Sequence, residues 1–481
     1  AITAYDINAD GVDDQVEGFE SWYTIADTPP ETPTNISALG RNGSVILTWT
    51  ASSSDGVTGY EIYRDLSSNN IDTKIATVSS DVLTFTDTGL TNGTTYHYSL
   101  KAIKSGGLAS SFSVNVQSTP GSAAILHVNQ NGTGVSTTIQ GAIDMSIDGD
   151  TILVAEGIYY ENLTLLDKKL HLASHYLTTG DTSKISNTVL SIYASNVPGI
   201  SMTASNSNNK IGKVTVTGLV IRGAQNWAIS GGALLANNYQ SFQLNNCVVR
   251  DNQALHGGGL YSWDTDSIMI HNSLFTANYA SEHGGGMRIG GSGSFFKISN
   301  SLVHHNSVGT DGGGIAIEGD HKKIILNTNI VSNTIPQGRY GGGLNGNANA
   351  DSLLIMNSIL YGNNGNGDYS GVYLTGTKIV AFNSYFRTGN GPGGDRELNF
   401  VRGSGNIFSD DNPFVIYDLA NYSQAIGQGK SSIQFDGETI TPHGKDFFGN
   451  DRPRPAGTNP DMGAVENDLS EPKYNRYTVA Q

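Results

Sequence analysis

Several residue types are scarce in this chain of 481 residues, and each scarcity excludes a class of protein. Cysteine occurs once, at Cys247, so no disulfide framework can form within the chain. No apolar run approaches the roughly 18 residues that a bilayer span requires, so we expect no membrane span. Lysine and arginine number 27 against 43 aspartates and glutamates, and the net charge is −16. This balance excludes nucleic acid as a partner, because phosphate contacts need clustered cations.

The sequence begins at Ala1 without a methionine, and it contains no signal peptide. We interpret the chain as a processed piece of a longer protein that is secreted, extracellular or attached to the cell surface.

Glycine is abundant, with 60 residues, and it belongs to a repeat of about 27 residues between positions 246 and 389. Each unit opens with two asparagines six apart: Asn246/Asn252, Asn272/Asn278, Asn300/Asn306, Asn327/Asn333 and Asn357/Asn363, with a sixth unit from Asn383 to Gly389. Most units continue with a glycine triplet and an alternating strand; the triplets are Gly257 to Gly259, Gly284 to Gly286, Gly312 to Gly314 and Gly341 to Gly343. A fixed period of this kind predicts coils that stack on their own copies.

The asparagines and glycines suit the corners of such coils. Both residue types tolerate a left-handed backbone, and stacked asparagine amides can bond to one another along the stack. We therefore predict an all-β protein whose main part is a right-handed parallel β-helix. Cys247 occupies the small-residue position that Ser273 and Ser301 occupy in later units, which favours a buried role over a reactive thiol.

The first 28 residues contain an acidic loop, D-I-N-A-D-G-V-D-D-Q-V-E. Oxygen ligands stand at loop positions 1, 3, 5, 9 and 12, a glycine at position 6, and a backbone carbonyl at position 7. The pattern resembles the calcium loop of EF-hand-type proteins and implies a structural Ca²⁺ ion. The implied ligands are Asp6, Asn8, Asp10, Val12, Asp14 and Glu17.

Residues 29–120 contain short apolar runs at the spacing of a β-sandwich. Trp49 ends the run V-I-L-T-W, the strand G-Y-E-I-Y-R follows from Gly59, and Leu90 precedes Tyr96 in a corner-like segment. These features resemble a fibronectin type III domain. The resemblance implies a spacer between domains or, as the alternative, a carbohydrate-binding module.

Residues 121–466 are assigned to the β-helix and residues 467–481 to a tail. The helical spacing from Thr138 to Ile147, before the strands at Thr151 and Gly157, resembles the capped entry of the pectate-lyase-like superfamily. The F-T-A-N segment at Phe275 and the glycine triplets resemble polymorphic outer-membrane-type surface proteins. The end segment, from Asp446 to Glu466, resembles the terminal motif of the choice-of-anchor Q proteins. These resemblances imply a secreted bacterial β-helix closed by this end motif.

Alignment of the coils on their glycine triplets places aromatic and charged residues on one outward face. Aromatic rings with interleaved polar groups suit sugars, which carry an apolar face and a hydroxyl rim. We assign substrate binding to Tyr261, Trp263, His256, Arg339 and Tyr373. For β-elimination of a uronic-acid polymer, Arg288 would neutralise the carboxylate and His283 would abstract the proton, while Tyr340 or Tyr261 would donate one.

Two alternatives stay open for this face. Paired carboxylates would support hydrolysis, with Glu282, Asp311 and Glu318 as candidates. In the other alternative these residues are ordinary surface groups, and the two His-Gly-Gly-Gly segments stack their rings between coils. The catalytic segments of polygalacturonases and of calcium pectate lyases are missing here, so the resemblance supports the fold better than an activity.

Two functions follow as expectations. The first is a secreted carbohydrate-active protein that binds an extracellular polysaccharide or cell-surface glycan. The more specific form of this expectation adds cleavage of the polymer by β-elimination. The second is a non-catalytic cell-surface adhesin or extracellular fibre component, which would associate with itself or with other surface proteins.

Overall fold

The computed structural model describes residues 28–470 and 472, except for short gaps at 122, 205–209, 294, 320–321, 348–351, 365–370, 376–377, 388–399, 403, 410–412, 416–417, 420–422 and 436. The predicted calcium ligands, from Asp6 to Glu17, therefore lie outside the described residues. The chain divides into two compact units; the first consists of residues 1–38 and 45–119, and the second of residues 39–44 and 120–481.

The first unit is a sandwich of two antiparallel sheets. One sheet contains Thr34–Arg41, Ser44–Thr50 and Thr84–Thr88; the other contains Val57–Asp65, Lys74–Ser79, Tyr96–Lys104 and Val116–Ser118, with a 3₁₀ turn at Ser105–Gly107. Trp49 is buried between the sheets, and its ring meets that of Tyr60 edge-on at 5.5 Å. The hydroxyl of Tyr96 accepts a bond of 3.2 Å from the backbone N–H of Thr91, which closes the predicted corner.

The second unit is a parallel β-helix built from three long sheets. Sheet A contains Ile125–Val128, Thr151–Val154, His171–Ser174, Ile211–Thr217, Tyr239–Asn245, Ser267–His271, Phe295–Ser299, Lys322–Leu326, Ser352–Met356, Lys378–Phe382 and Phe400–Arg402. Sheet B contains Gly157–Tyr159, Thr188–Ser191, Val220–Arg222, Val248–Arg250, Leu274–Thr276, Leu302–His304, Asn329–Val331, Ile359–Tyr361, Tyr385–Phe386 and Ile407–Phe408. Sheet C contains Leu163–Thr164, Ile200–Thr203, Leu234–Asn237, Leu260–Trp263, Met287–Gly290, Ile315–Glu318, Leu344–Asn347 and Val372–Thr375.

Smaller elements complete this unit. A short sheet D contains Gln225–Asn226, Gln253–His256, Tyr279–His283 and Ser307–Val308; two hairpins pair Phe414–Val415 with Asp418–Leu419 and Ile433–Phe435 with Glu438–Ile440. The helices are Ile139–Met145, Tyr176–Thr179 and Ser183–Asn187. The first of them is the predicted entry helix. The hydroxyl of Thr138 caps it by accepting a bond of 3.2 Å from the backbone N–H of Gly141.

The two asparagines of each repeat have different structural roles. The first has a left-handed backbone, with φ of 52° at Asn246 and 48° at Asn272, which a β-branched residue would resist. The second is buried, and its side-chain amide donates to the amide oxygen of the next coil. The bond from Asn278 to Asn306 is 2.9 Å long, and that from Asn306 to Asn333 is 3.0 Å long. The predicted asparagine ladder is confirmed.

The glycine triplets form the corner that leads into sheet C. Gly284 has a φ of +73°, and a Cβ added to Gly285 would lie 2.3 Å from the carbonyl oxygen of Ser307. Larger residues would therefore keep neighbouring coils apart. Cys247 is buried in the column of small residues, as predicted, and burial raises the pKa of its thiol to about 12.

The end segment lies along the side of the coils. Its backbone bonds to asparagines of the coils: the N–H of Ala464 donates to the side-chain oxygen of Asn329 over 3.0 Å, and the N–H of Gly463 donates to the carbonyl of Asn357 over 2.6 Å. Arg452 and Glu466 form a buried ion pair of 2.6 Å within it. The expectation that this segment closes the β-helix is not met among the described residues, where it covers a flank.

Candidate functional site

The aligned columns of sheet C occur as the glycine triplets predict. Tyr261 pairs with Arg288, Arg288 with Ala316, Ala316 with Asn345, and Asn345 with Tyr373. The inward neighbours Leu260, Met287, Ile315, Leu344 and Val372 are buried. Alternation along each strand therefore turns the outward column away from the core.

A groove of about 490 Å³ follows this outward face. Six of its lining side chains carry the chemistry: Trp263, His283, Asp311, Glu318, Tyr340 and Tyr373. The structure thus brings together two of the three predicted catalytic residues and two of the five predicted binding residues. The groove also contains two of the three carboxylates proposed for hydrolysis.

Arg288 does not line the groove. Its Nη2 lies 3.0 Å from Oε1 of Glu318, and its guanidinium carbon lies 5.3 Å from the ring centre of Trp263. The positive charge is therefore paired with a carboxylate and covered by an indole. This arrangement orients both Glu318 and Trp263, because the guanidinium forms an ion pair with the carboxylate and a cation–π contact with the indole.

Trp263 forms one end of the aromatic surface. Its ring lies over Gly290, where an added Cβ would come within 2.2 Å of it. Tyr261 stacks on it with ring centres 6.0 Å apart and planes 8° apart. Glycine at position 290 thus lets the indole lie flat across the adjacent coil, which is the orientation that a sugar ring needs.

A second aromatic pair lies further along the groove. Tyr340 and Tyr373 stack with ring centres 4.5 Å apart. The backbone N–H of Tyr340 donates to Oδ1 of Asp311 over 2.7 Å, which fixes that carboxylate beside the ring. Tyr340 is 41% exposed, so its face is accessible to a ligand.

The two histidines before the glycine triplets stack on each other. The rings of His256 and His283 are parallel within 8°, with centres 5.6 Å apart, as the alternative reading of the His-Gly-Gly-Gly segments predicts. Nδ1 of His283 also lies 3.2 Å from the hydroxyl of Thr310. His283 faces the groove, whereas His256 is not among the lining residues.

His256 is held in its neutral form. Burial, and then the charge of Arg288, lower the pKa of its imidazole to about 4. Its Nε2 lies 3.3 Å from Oε2 of Glu282. Arg339, another predicted binding residue, has an exposed side chain that does not line the groove.

Two groove residues were missed in the sequence assignment. Asn345 and Thr375 line the groove, and both stand on outward positions of sheet C strands. The signal was present, since Asn345 shares the column of Arg288 and Thr375 lies two residues after Tyr373. Their small polar side chains gave no chemical reason to choose them.

Comparison with known proteins locates similarity in the first unit. Residues 29–119 match the fibronectin type III domain family. An amylopullulanase from Thermoanaerobacterium saccharolyticum is 34% identical over 122 residues, which are 24% of this chain and 9% of that enzyme. Exoglucanase B from Cellulomonas fimi is 35% identical over 109 residues, which are 21% of this chain and 9% of that enzyme.

A solved structure of an Fn3-like protein from Clostridium thermocellum is 30% identical, covers 19% of this chain and 92% of that chain, and has a TM-score of 0.17. The match to this chain spans about 9% of the length of each of the two enzymes named above. The N-terminal sandwich is a fibronectin type III domain, as its tryptophan and tyrosine corner predict.

Two features are absent from the described part of the chain. In residues 28–472, outside the gaps, no helix is long and apolar enough to cross a membrane. Within the same residues no group of three or more His, Cys, Asp or Glu side chains is arranged to hold a metal ion.

Proposed function

We propose that this protein is an extracellular carbohydrate-active β-helix protein whose groove on sheet C binds a neutral polysaccharide. The observation that carries this proposal is the pairing of flat aromatic surfaces with polar side chains in one groove. Trp263 stands at one end, Tyr340 and Tyr373 at the other, and Asp311 and Glu318 provide hydrogen-bond acceptors for hydroxyl groups. Sugar rings present the complementary apolar faces and hydroxyl rims.

The charge of the groove supports a neutral ligand. Asp311 and Glu318 both line it, and Arg288 is already paired with Glu318. A polyuronate would bring further negative charge against two carboxylates, which costs binding free energy unless a cation intervenes. Elimination would therefore require Arg288 to leave Glu318, whereas hydrolysis by Asp311 and Glu318 would not.

The relatives support association with carbohydrate. Amylopullulanase and exoglucanase are carbohydrate-active enzymes, and they share the fibronectin domain with this chain. Glucans are accordingly the first ligands to test. We further propose that the β-helix is of the pectate-lyase-like, choice-of-anchor Q type, and that the first 28 residues hold a structural Ca²⁺ ion.

A panel of polysaccharides tests the function. Affinity electrophoresis of the whole chain with pullulan, cellulosic glucan, xylan and polygalacturonate should show retardation by a neutral polymer. Calcium is present throughout, with parallel assays for unsaturated-uronate absorbance and for new reducing ends. Retardation by polygalacturonate alone, with rising absorbance, would contradict a neutral ligand and restore elimination with Arg288 and His283. No retardation by any polymer would favour the adhesin or fibre role.

A further inference from the structure

A second cavity of about 400 Å³ lies on sheet A, away from the groove on sheet C. Outward side chains of three successive strands form its floor, and residues 441–443 form a wall. Its polar lining consists of Gln243, Asn245, His271, Lys297, Ser299 and His443, with Thr441 at the edge. This volume falls within the roughly 300–1,000 Å³ that small-ligand sites occupy.

The lining is basic in a chain that is strongly acidic. None of the described residues that line this cavity carries a carboxylate, although the chain as a whole has a net charge of −16. Lys297 supplies a positive charge there, and it forms no ion pair within the described residues. Three further side chains, Gln243, His271 and His443, can present N–H groups to the same space.

The two imidazoles are fixed from opposite sides. Strand pairing places His271 beside Ser299, whose hydroxyl lies 3.1 Å from Nδ1 of the ring. The backbone N–H of Lys445 donates to Nδ1 of His443 over 3.2 Å. The ring centres lie 4.7 Å apart, so both rings border one small volume.

The remaining lining is apolar. Met269, Leu326 and Pro442 border the same cavity, so a ligand there meets a hydrophobic surface as well as N–H donors. Burial lowers the pKa of Lys297, and burial, His443 and Lys297 together lower the pKa of His271 to about 4. The Lys297 ammonium thus lacks a compensating negative charge, which a bound anion would supply.

We propose that this cavity is a binding site for a small organic carboxylate of about monosaccharide size, such as a free sugar acid. Lys297 binds the carboxylate, Gln243 and the histidines donate to the remaining oxygens, and Met269 and Pro442 contact the carbon skeleton. The site is independent of the groove on sheet C, and the proposal does not depend on polysaccharide binding there.

Calorimetric titration of the whole chain with D-galacturonate tests the proposal, with D-galactose as the neutral counterpart. We expect galacturonate to bind and galactose to bind at least about tenfold more weakly, because a charge-assisted bond is lost. Lys297→Met, which keeps most of the side chain's apolar stem, should weaken galacturonate binding about tenfold or more. Equal binding of the two sugars, or no binding of galacturonate, would overturn the proposal.

Two controls separate this site from folding and from the groove. Lys169→Met removes an equal charge from a residue that pairs with Asp148 over 2.9 Å and does not line the cavity. It should leave galacturonate binding unchanged, as should Trp263→Ala in the groove. The thermal midpoint of Lys297→Met should match that of the wild type. Galacturonate binding that survives Lys297→Met, or that is lost with Trp263→Ala, would contradict the assignment.

Discussion

Arg288 and Glu318 are joined across two coils by an ion pair of 3.0 Å, although their strands do not place them in register. Arg288 pairs in register with Ala316, and Glu318 lies two residues further along the same strand. The small side chain of Ala316 leaves the guanidinium room to reach Glu318. The pair therefore fixes the carboxylate and the indole of Trp263 that together form one end of the groove.

This pair should contribute measurably to stability. We predict a coupling free energy of about 1 kcal/mol between Arg288→Met and Glu318→Gln, because both side chains are partly buried. A double-mutant cycle on the thermal midpoints measures it at low and high salt. The coupling should decrease at high salt. Additive effects of the two substitutions would show that the pair holds neither residue in place.

The asparagine ladder should stabilise the coils more than any surface contact. Asn306→Ala removes the acceptor for two N–H groups of Asn278 and leaves the carbonyl of Phe275 without its side-chain donor. We expect a loss of about 3 kcal/mol or more, since each buried polar group left unpaired costs roughly 1–3 kcal/mol. Denaturant unfolding checks it.

Asn364→Ala is the matched control, because this exposed asparagine directly follows the ladder residue Asn363. Its effect should stay within about 0.5 kcal/mol, as is usual for surface substitutions. Equal effects of the two variants would mean that the ladder adds no stability.

The repeat made the coils and the ladder predictable from the sequence. The period fixes which positions recur, and each recurring position must meet one structural requirement. Position 272 needs a left-handed corner, position 278 a buried amide and position 273 a small side chain. The same alignment predicted the outward column from Tyr261 to Tyr373. Local pattern and tertiary contact agree there because neighbouring coils contact corresponding residues.

The partners of charged side chains could not be predicted in the same way. The offset between Arg288 and Glu318 depends on side-chain length and on the size of Ala316, which the period does not encode. The flank contacts of the end segment, such as Ala464 with Asn329, join residues 135 positions apart. No repeat relates these two parts of the chain, so their contact required the structure.

The end segment should be more stable in acid than at neutral pH. Burial, and then the neighbouring Glu466, raise the pKa of Asp461 to about 7. Below about pH 4, the usual value, the carboxyl is protonated in both the folded and the unfolded chain. As the pH rises from about 4 to 7 the unfolded chain loses a proton that the folded chain keeps, so stability falls, and it is constant above about 7.

Limited proteolysis at pH 5 and pH 8 measures this difference. Cleavage between residues 446 and 466 should be faster at pH 8. Asp461→Asn should remove most of the difference, whereas Asp451→Asn, at an exposed site, should retain it. An Asp461→Asn variant that keeps the full pH dependence would place the titration on another group.

The calcium loop gives a prediction for the residues before the fibronectin domain. We expect a chelator to increase protease cleavage within residues 1–30, because six oxygen ligands lose the ion that holds them together. Added Ca²⁺ should restore protection in the wild type and not in Asp10→Ala. Asp55→Asn, in a loop of the fibronectin domain, serves as the control. Protection that is insensitive to chelator would exclude a metal site there.

The central claim, that the groove on sheet C binds polysaccharide, is tested most directly by removing the indole of Trp263. Affinity electrophoresis with the polymer that retards the wild type compares Trp263→Ala with Trp227→Ala, whose ring is 54% exposed and lies outside this groove. We predict that Trp263→Ala weakens binding up to about tenfold, since a stacked aromatic contributes roughly 0.5–1.5 kcal/mol, while Trp227→Ala binds as the wild type. Unchanged binding by Trp263→Ala with an unchanged thermal midpoint would contradict the claim.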